Sequence, residues 1–293
     1  MKTYDILKLK KTWFVISGII IALGLVLSFI NGGLNLGIDF TGGTSLQARI
    51  GRKFDVQEVK NIMDKYDKEA TITYAGNEKD EVIVRTKLEF DDDTRRDLLE
   101  KFDSELNVTS KNINFESIGP SIGSELKKQA ILALLVANLG ILIYISIRFE
   151  WRFGLASIFT LLHDVIIMTI FYGAMKIPVN SSFIAAILTI VGYSINATIV
   201  IFDRIRENMK TVRRVDPEQV VNNSINQTLA RSINTSLTTF ITIGTLYILG
   251  VPAVKEFALP LIIGLISGTY SSVFLASSVW LFLRNNIKVK SAH

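Results

Sequence analysis

Residues 13–30 read WFVISGIIIALGLVLSFI, and residues 31–50 continue NGGLNLGIDFTGGTSLQARI. A bilayer's hydrocarbon core takes about 20 apolar residues of helix to cross, so the first stretch is a span and the second resumes a soluble pattern. Five more apolar stretches follow, approximately Gln129–Ile147, Phe153–Tyr172, Ser182–Phe202, Ser232–Leu249 and Phe257–Leu283. The predicted fold class is therefore a polytopic α-helical membrane protein with six transmembrane helices. The basic residues Lys8, Lys10 and Lys11 before the first stretch would also suit a signal peptide. No small-residue cleavage site follows it, so it is read as an uncleaved span. The composition agrees: 49% of the 293 residues are hydrophobic, and mean hydropathy is +0.36.

The formal net charge of +5 is unevenly distributed. Residues 31–126 carry a balance of −6, and the rest of the chain carries +11. Basic residues cluster before span 1 (Lys2, Lys8, Lys10, Lys11), between spans 2 and 3 (Arg148, Arg152), after span 4 (Arg204, Arg206, Lys210, Arg213, Arg214) and after span 6 (Arg284, Lys288, Lys290). The positive-inside rule then predicts cytoplasmic termini and an acidic insert on the outer face. The positive charge is explained by the anionic inner leaflet, and no nucleic-acid partner is expected.

The insert has the pattern of a small folded unit. Thr44–Ile50 suits a strand, Asp55 can cap a helix carrying Val56, Val59, Ile62, Met63 and Tyr66, and Thr71–Tyr74 and Val82–Thr86 suit paired strands around the turn Gly76–Asp80. A second helix over Asp92–Leu106 and a last strand over Ile113–Ile118 complete a β-α-β-β-α-β order, the small α+β ferredoxin-like arrangement. The expected organisation is a cytoplasmic N-terminus and helix 1 over 1–30, an extracytoplasmic ferredoxin-like domain with its connectors over 31–126, helices 2–6 over 127–283, and a cytoplasmic tail over 284–293.

Soluble-enzyme signatures are missing, and no enzymatic activity or cofactor is expected. Without cysteine there is no disulfide, zinc-thiolate site or cysteine nucleophile, and with only His163 and His293 no histidine metal cluster or triad is expected. Gly42-Gly43-Thr44 lacks the lysine and spacing of a phosphate-binding loop. Chemistry is sought instead among ionisable groups inside spans, which cost roughly 2.5–3.5 kcal/mol each to insert and face protein or water. His163 and Asp164 sit in mid-span 3, with Ser157 and Thr160 on the Asp164 face; Asp203 ends span 4, and Arg231 begins span 5. Along span 5, Thr235, Thr238, Thr242 and Thr245 recur at helical spacing with Asn234 beside them, and the two faces are expected to line one polar seam. Two readings stand for each group. The threonines either line that seam or bond back to their own helix. Asp164 is either a carboxyl bonded to a neighbouring helix or a buried acid that loads and releases ions. His163 projects about 100° from Asp164, and a packing role is expected for it; Asp203 and Arg204 are boundary charges. Gly264 and Gly268 form a GxxxG suited to close helix packing. The amphipathic stretch Arg204–Ala230 is expected along the inner membrane surface.

At these residues the chain resembles the SecF family, the smaller half of the bacterial SecDF protein-export accessory complex within the resistance-nodulation-division superfamily. The motifs are Leu36-Gly37-Ile38-Asp39-Phe40-Thr41-Gly42-Gly43, Ser117-Ile118-Gly119-Pro120-Ser121-Ile122-Gly123, His163-Asp164-Val165, Val191-Gly192-Tyr193-Ser194-Ile195-Asn196, Phe202-Asp203-Arg204-Ile205-Arg206-Glu207-Asn208 and Arg231-Ser232-Ile233-Asn234-Thr235-Ser236-Leu237-Thr238-Thr239. The resemblance implies a bacterial cytoplasmic-membrane subunit that pairs with SecD, associates with the SecYEG translocon and uses proton or sodium flow to assist late movement of an exported preprotein. One charge crossing 100 mV is worth about 2.3 kcal/mol, enough to bias a rearrangement of the exterior domains. One position departs from the pattern. Where the family usually has an aspartate after Ser194-Ile195-Asn196, proposed to carry protons near the arginine matching Arg231, this chain has Ala197. Alanine cannot titrate, so Ala197 is either an engineered inactivating substitution, a natural variant relying on Asp164 or a SecD acid, or the mark of a coupling ion handled differently. The resemblance makes Asp164, Asn196, Ala197, Arg231 and Asn234 the ion-coupling candidates and Gly37, Asp39, Phe40, Gly42 and Gly43 a structural motif. The competing classes are a small-molecule exporter of the same superfamily and a structural assembly factor for the channel.

Overall fold

The computed structural model describes residues 4–75, 80–211 and 216–286. In chain order the elements are α1 (Lys10–Ile30), α2 (Ile38–Thr41), β1 (Gly43–Arg49), α3 (Val56–Met63), β2 (Thr71–Ala75), β3 (Glu81–Thr86), α4 (Asp92–Leu106), β4 (Ile113–Ile118), α5 (Pro120–Arg148), α6 (Trp151–Ala174), α7 (Ser181–Thr211), α8 (Pro217–Leu249), α9 (Pro252–Tyr270) and α10 (Ser277–Asn286). A π-helical turn over Ser271–Ala276 joins the last two into one rod. Among the described residues six helical rods are long and apolar enough to cross a membrane, as the hydropathy predicts. Lys2, Arg213, Arg214, Lys288, Lys290 and most of the turn expected at Gly76–Asp80 lie outside the described residues.

Three of the rods, α6, α7 and α9–α10, are about half buried and form the inside of the bundle, while α1, α5 and α8 flank them with mostly exposed apolar faces. The GxxxG explains how the inner rods approach. A methyl group at Gly264 would lie 2.6 Å from Ile190 Cγ1 and 2.8 Å from Met168 Sδ, so α9 meets α7 and α6 there through bare backbone. Such small-residue faces let helices pack where lipid removes the hydrophobic drive between them.

The helices run well past the apolar stretches. The 33-residue α8 is about 50 Å long against a core of about 30 Å. It starts at Pro217 because Asp216 caps it, accepting from Glu218 N at 3.1 Å, and proline is tolerated in a first turn. The stretch expected along the membrane surface is instead the end of α7 and the start of α8, with Val212 and Val215 outside the described residues. Its apolar positions Val221 and Ile225 are buried in the main core, and Val220 is buried beside them in sequence. The N-terminal segment seals it: Tyr4 N and Ile6 N donate to the Asn226 and Asn222 side chains at 2.8 and 2.9 Å, and Lys10 pairs with Glu218 at 2.8 Å.

The insert forms an antiparallel sheet of order β2-β3-β1-β4, with Leu46 facing Val84 on one side and Phe115 on the other. This is the ferredoxin-like arrangement predicted. Alternate strand residues Leu46, Ala48, Val82 and Val84 pack with Val59, Ile62 and Met63 of α3 and Leu98, Phe102 and Leu106 of α4 in a core of their own. Asp55 and Glu58 make a reciprocal capping box on α3, and Asp91 caps α4 by accepting from Thr94 N. Among the described residues the unit is tied to the bundle at two places. Arg85 on β3 donates to both carboxylate oxygens of Glu256 on α9, at 2.6 and 3.4 Å, and Asn180 Nδ2 donates to the same carboxylate at 2.9 Å. The second tie is the glycine motif. Gly37 N donates to Val179 O at 2.7 Å, and the Asp39 carboxylate accepts from Ser181 N at 2.7 Å, at the first turn of α7. Phe40 is buried in the main core. Gly42 and Gly43 have φ of +77° and +138°, and side chains there would strike Pro120 N at 2.9 Å and Thr86 O at 2.2 Å. Only glycine satisfies both the backbone angles and the space.

Candidate functional site

Asp164 sits on α6, one of the three inner rods, and is 1% exposed. Its Oδ1 accepts from Ser267 Oγ at 2.7 Å, and its Oδ2 accepts from Ser194 Oγ at 2.7 Å and Ser271 Oγ at 3.0 Å. His163 Nδ1 lies 3.2 Å from Oδ1. An acid otherwise expensive in the bilayer is thus surrounded by hydroxyl donors from α7, α9 and the π-turn. Three local features place those donors. Ser194 falls on the α7 face that meets α9, while Ser267 and Ser271 stand one turn apart on either side of Gly268. A methyl group at Gly268 would lie 2.9 Å from Ser194 Oγ and 3.4 Å from Asp164 Oδ2, so glycine lets the serines reach the acid. The π-turn buries the consecutive Ser271 and Ser272 completely; such wide turns are frequent at functional sites. Ser272 shares a 2.8 Å hydrogen bond with Thr198, forming a second polar layer.

His163 does more than pack. Adjacent residues diverge around a helix, yet the imidazole folds back so that both nitrogens are engaged. Nδ1 meets Asp164, and Nε2 lies 3.2 Å from Ser17 Oγ on α1. Ser17 bonds Tyr270 Oη at 3.2 Å, and Tyr270 donates to Trp13 O at 2.6 Å. A polar thread therefore runs from the acid to the outer helix.

The two faces expected to share one seam are separate in this chain. Ser157 and Thr160 are fully buried and donate to Phe153 O and Ser157 O of their own helix, both at 2.8 Å. Thr235, Thr238, Thr242 and Thr245 are exposed. Thr238, Thr242 and Thr245 donate to carbonyls of α8 itself, at 2.9, 3.0 and 2.8 Å. The physical reason is position: α8 packs on α7 and α9, and those helices supply the serines that close off the Asp164 face of α6. Among the remaining candidates Ala197 is half-buried, and Asn196, Arg231 and Asn234 are exposed. Among the described residues no hydrogen bond joins these to the Asp164 cluster. Arg231 lines a separate cleft of about 310 Å³ with Arg148, Asp203, Arg204 and Glu207. In it Arg204 pairs with Glu207 at 2.6 Å. No cluster of His, Asp and Glu side chains suited to a metal forms among the described residues.

Sequence reasoning missed Ser194, Ser267, Ser271, Ser17 and Tyr270. A signal existed for two of them: Ser267 and Ser271 recur at i and i+4 beside a glycine, a polar stripe within a face read only for packing.

Comparisons with known proteins bear on what such a bundle serves. The family description "Protein export membrane protein SecD/SecF, C-terminal" matches residues 98–286, and "SecD/SecF GG Motif" matches residues 27–51. The protein translocase subunit SecF of Thermodesulfovibrio yellowstonii is 42% identical over 295 residues, covering 98% of this chain and 96% of that one. SecF of Haemophilus influenzae is 34% identical over 279 residues, covering 94% and 84%. The crystal structure of SecDF from Thermus thermophilus, a translocon-associated membrane protein, superposes with a TM-score of 0.85 at 37% identity. It matches 97% of this chain, which spans 39% of that longer one.

Proposed function

Because the chain belongs to the SecD/SecF family of protein-export membrane proteins, and so has an accessory role in Sec export as a multi-pass membrane subunit, we propose that it is the SecF half of a two-chain complex. Its partner is SecD, the pair associates with SecYEG, and an ion gradient helps exported preproteins through the late stage of translocation. The termini face the cytoplasm, and the α/β unit of 31–126 works outside the membrane. Asp164 is the ion-coupling acid of this chain in place of position 197, where Ala197 cannot titrate. Asn196, Arg231 and Asn234 lie toward the SecD side, and the exposed threonines of α8 meet the partner's helices there.

The single observation that carries this reading is the 0.85 superposition on a SecDF chain of which this one spans 39%. It is supported by an α8 whose polar stripe is exposed within a bundle otherwise closed around its serines. The test uses the absence of native cysteine. Single cysteines at Thr238 and Thr242, expressed beside cysteine-bearing SecD, are expected to cross-link to it in membranes, whereas a cysteine at the buried Ala156 is not. Cross-linking to SecD absent from α8, with no co-purification of SecD, would remove the assignment.

A further inference from the structure

The hydrogens around Asp164 can be placed by elimination. The Trp13 carbonyl can only accept, so Tyr270, 2.6 Å away, gives its single hydroxyl proton there. The contact between Ser17 and Tyr270 at 3.2 Å then uses the Ser17 proton. Ser17 has no second proton, so its 3.2 Å contact with His163 needs an N–H on Nε2. On the far side of the ring, Nδ1 and Asp164 Oδ1 lie 3.2 Å apart, and one of the two must carry a proton between them. Either an imidazolium faces a carboxylate, or a neutral imidazole faces a carboxylic acid. Both arrangements have zero net charge and one exchangeable proton, and a neutral couple is the form a low-dielectric interior tolerates.

From this geometry we propose that His163 and Asp164 form a one-proton carrier buried in the bundle, and that α1 reads its loading through Ser17 and Tyr270. The inference rests on the ion-coupled reading above and names the ion as a proton. The elements packed around the couple present Ser17 from α1, Ser194 from α7, Ser267 from α9 and Ser271 from the π-turn, with Tyr270 the further titratable group in the thread. Among the described residues no lysine, arginine or second carboxylate pairs with either member.

Unloading has a defined structural consequence. When the proton leaves for the ion pathway, an imidazole protonated only on Nε2 would turn a lone pair toward a carboxylate. The proton that leaves is therefore the Nε2 proton of the imidazolium form, taken up by water of the ion pathway, while the Nδ1 proton stays bonded to Asp164. Nε2 then becomes an acceptor and takes the Ser17 hydroxyl, so the Ser17–Tyr270 hydrogen bond loses its proton. Proton release thereby removes one of the two hydrogen bonds between α1 and Tyr270 at the end of α9, leaving the bond to Trp13 O, without any charge crossing the interface.

The chain holds two histidines, His163 and His293, which makes nitrogen-15 histidine NMR of the full chain in lipid nanodiscs decisive, with His293→Ala assigning the signals. The expected result is that raising pH converts His163 from N–H at Nε2 to N–H at Nδ1, and that sodium added at fixed pH changes nothing. Asp164→Asn should abolish the switch to N–H at Nδ1, because a neutral side-chain amide can donate to Nδ1 as well as accept from it. Retention of the Nε2 proton throughout, a response to sodium in place of pH, or the same titration with and without Asp164 would each overturn the carrier. The tautomer readout needs no variant, so a folding defect in Asp164→Asn leaves the test intact. Co-purification of SecD with the same preparation reports separately on the export reading.

Discussion

Removing single hydroxyls from the Asp164 nest tests what those hydroxyls do. Ser267→Ala deletes a donor 2.7 Å from Oδ1, and Ser271→Ala deletes one 3.0 Å from Oδ2 that has an alternative acceptor in Gly268 O at 3.3 Å. Each truncation also leaves a small void, so the single-variant cost is ambiguous. A double-mutant cycle with Asp164→Asn cancels the void and isolates the coupling. A hydrogen bond to a charged group is worth about 1.5–3 kcal/mol and a neutral one about 0.5–1.5, so an ionised Asp164 should couple to Ser267 by roughly 1 kcal/mol or more. Neutral interhelical bonds in membrane bundles average about 0.6 kcal/mol, which sets the threshold. The assay is reversible denaturation in mixed micelles, following the exposure of Trp280, which is buried against Phe153. We expect Ser267 above that threshold and Ser271 below Ser267. Coupling at or below 0.6 kcal/mol for Ser267, or a larger value for Ser271, would refute the view that the serines solvate an anion.

Three further outcomes are expected. Arg85→Ala should release the sheet from α9, raising amide exchange in β2 and β3 while the α3–α4 core stays protected; unchanged exchange would mean the ion pair with Glu256 carries no docking energy. In the α/β unit, the Tyr66 hydroxyl and then Lys101 hold Asp97 below the usual carboxylate range, while burial first and then the bond to Asp97 push Tyr66 up. Stabilisation from Asp97 is therefore full above its unfolded value and lost as pH falls through its folded one, and that from Tyr66 is lost as pH rises through its folded value; Asp97→Asn should flatten the acid limb of a circular-dichroism stability profile. Ala197→Asp, read beside SecD, should leave ion-driven export unchanged or reduced if the His163–Asp164 couple carries the proton, and a rise would instead mark Ala197 as an inactivating residue.

Much of the architecture was legible because two strong periodicities carry it. Apolar runs such as 13–30 exceed any soluble helix's apolar face, and the alternation through Thr44–Ile50 and Val82–Thr86 places Leu46, Ala48, Val82 and Val84 on one side of a sheet. Helix lengths were not legible, because hydropathy measures the membrane's thickness and not the helix. Pro217 looks like a break in composition, yet it opens a helix whose first half buries Val220, Val221, Ser224 and Ile225 and is bonded by the N-terminal segment through Asn222 and Asn226.

The site was legible only in its acid. Asp164 stood out because an ionisable residue inside a span costs several kcal/mol, but its partners are serines, which cost little and leave no trace in a hydropathy plot. The threonine stripe of α8 was the louder pattern, and it turns away from the acid. Which hydroxyls meet a buried carboxylate is decided by the order of helices around the bundle, and that order follows from Gly264 and Gly268 admitting α7 to α9. Packing and chemistry are therefore one feature here. A side chain at Gly268 would be expected to push Ser194 from Asp164 before it disturbed any apolar contact, since Ser194 Oγ, at 2.9 Å, is the nearest atom to the space it would fill.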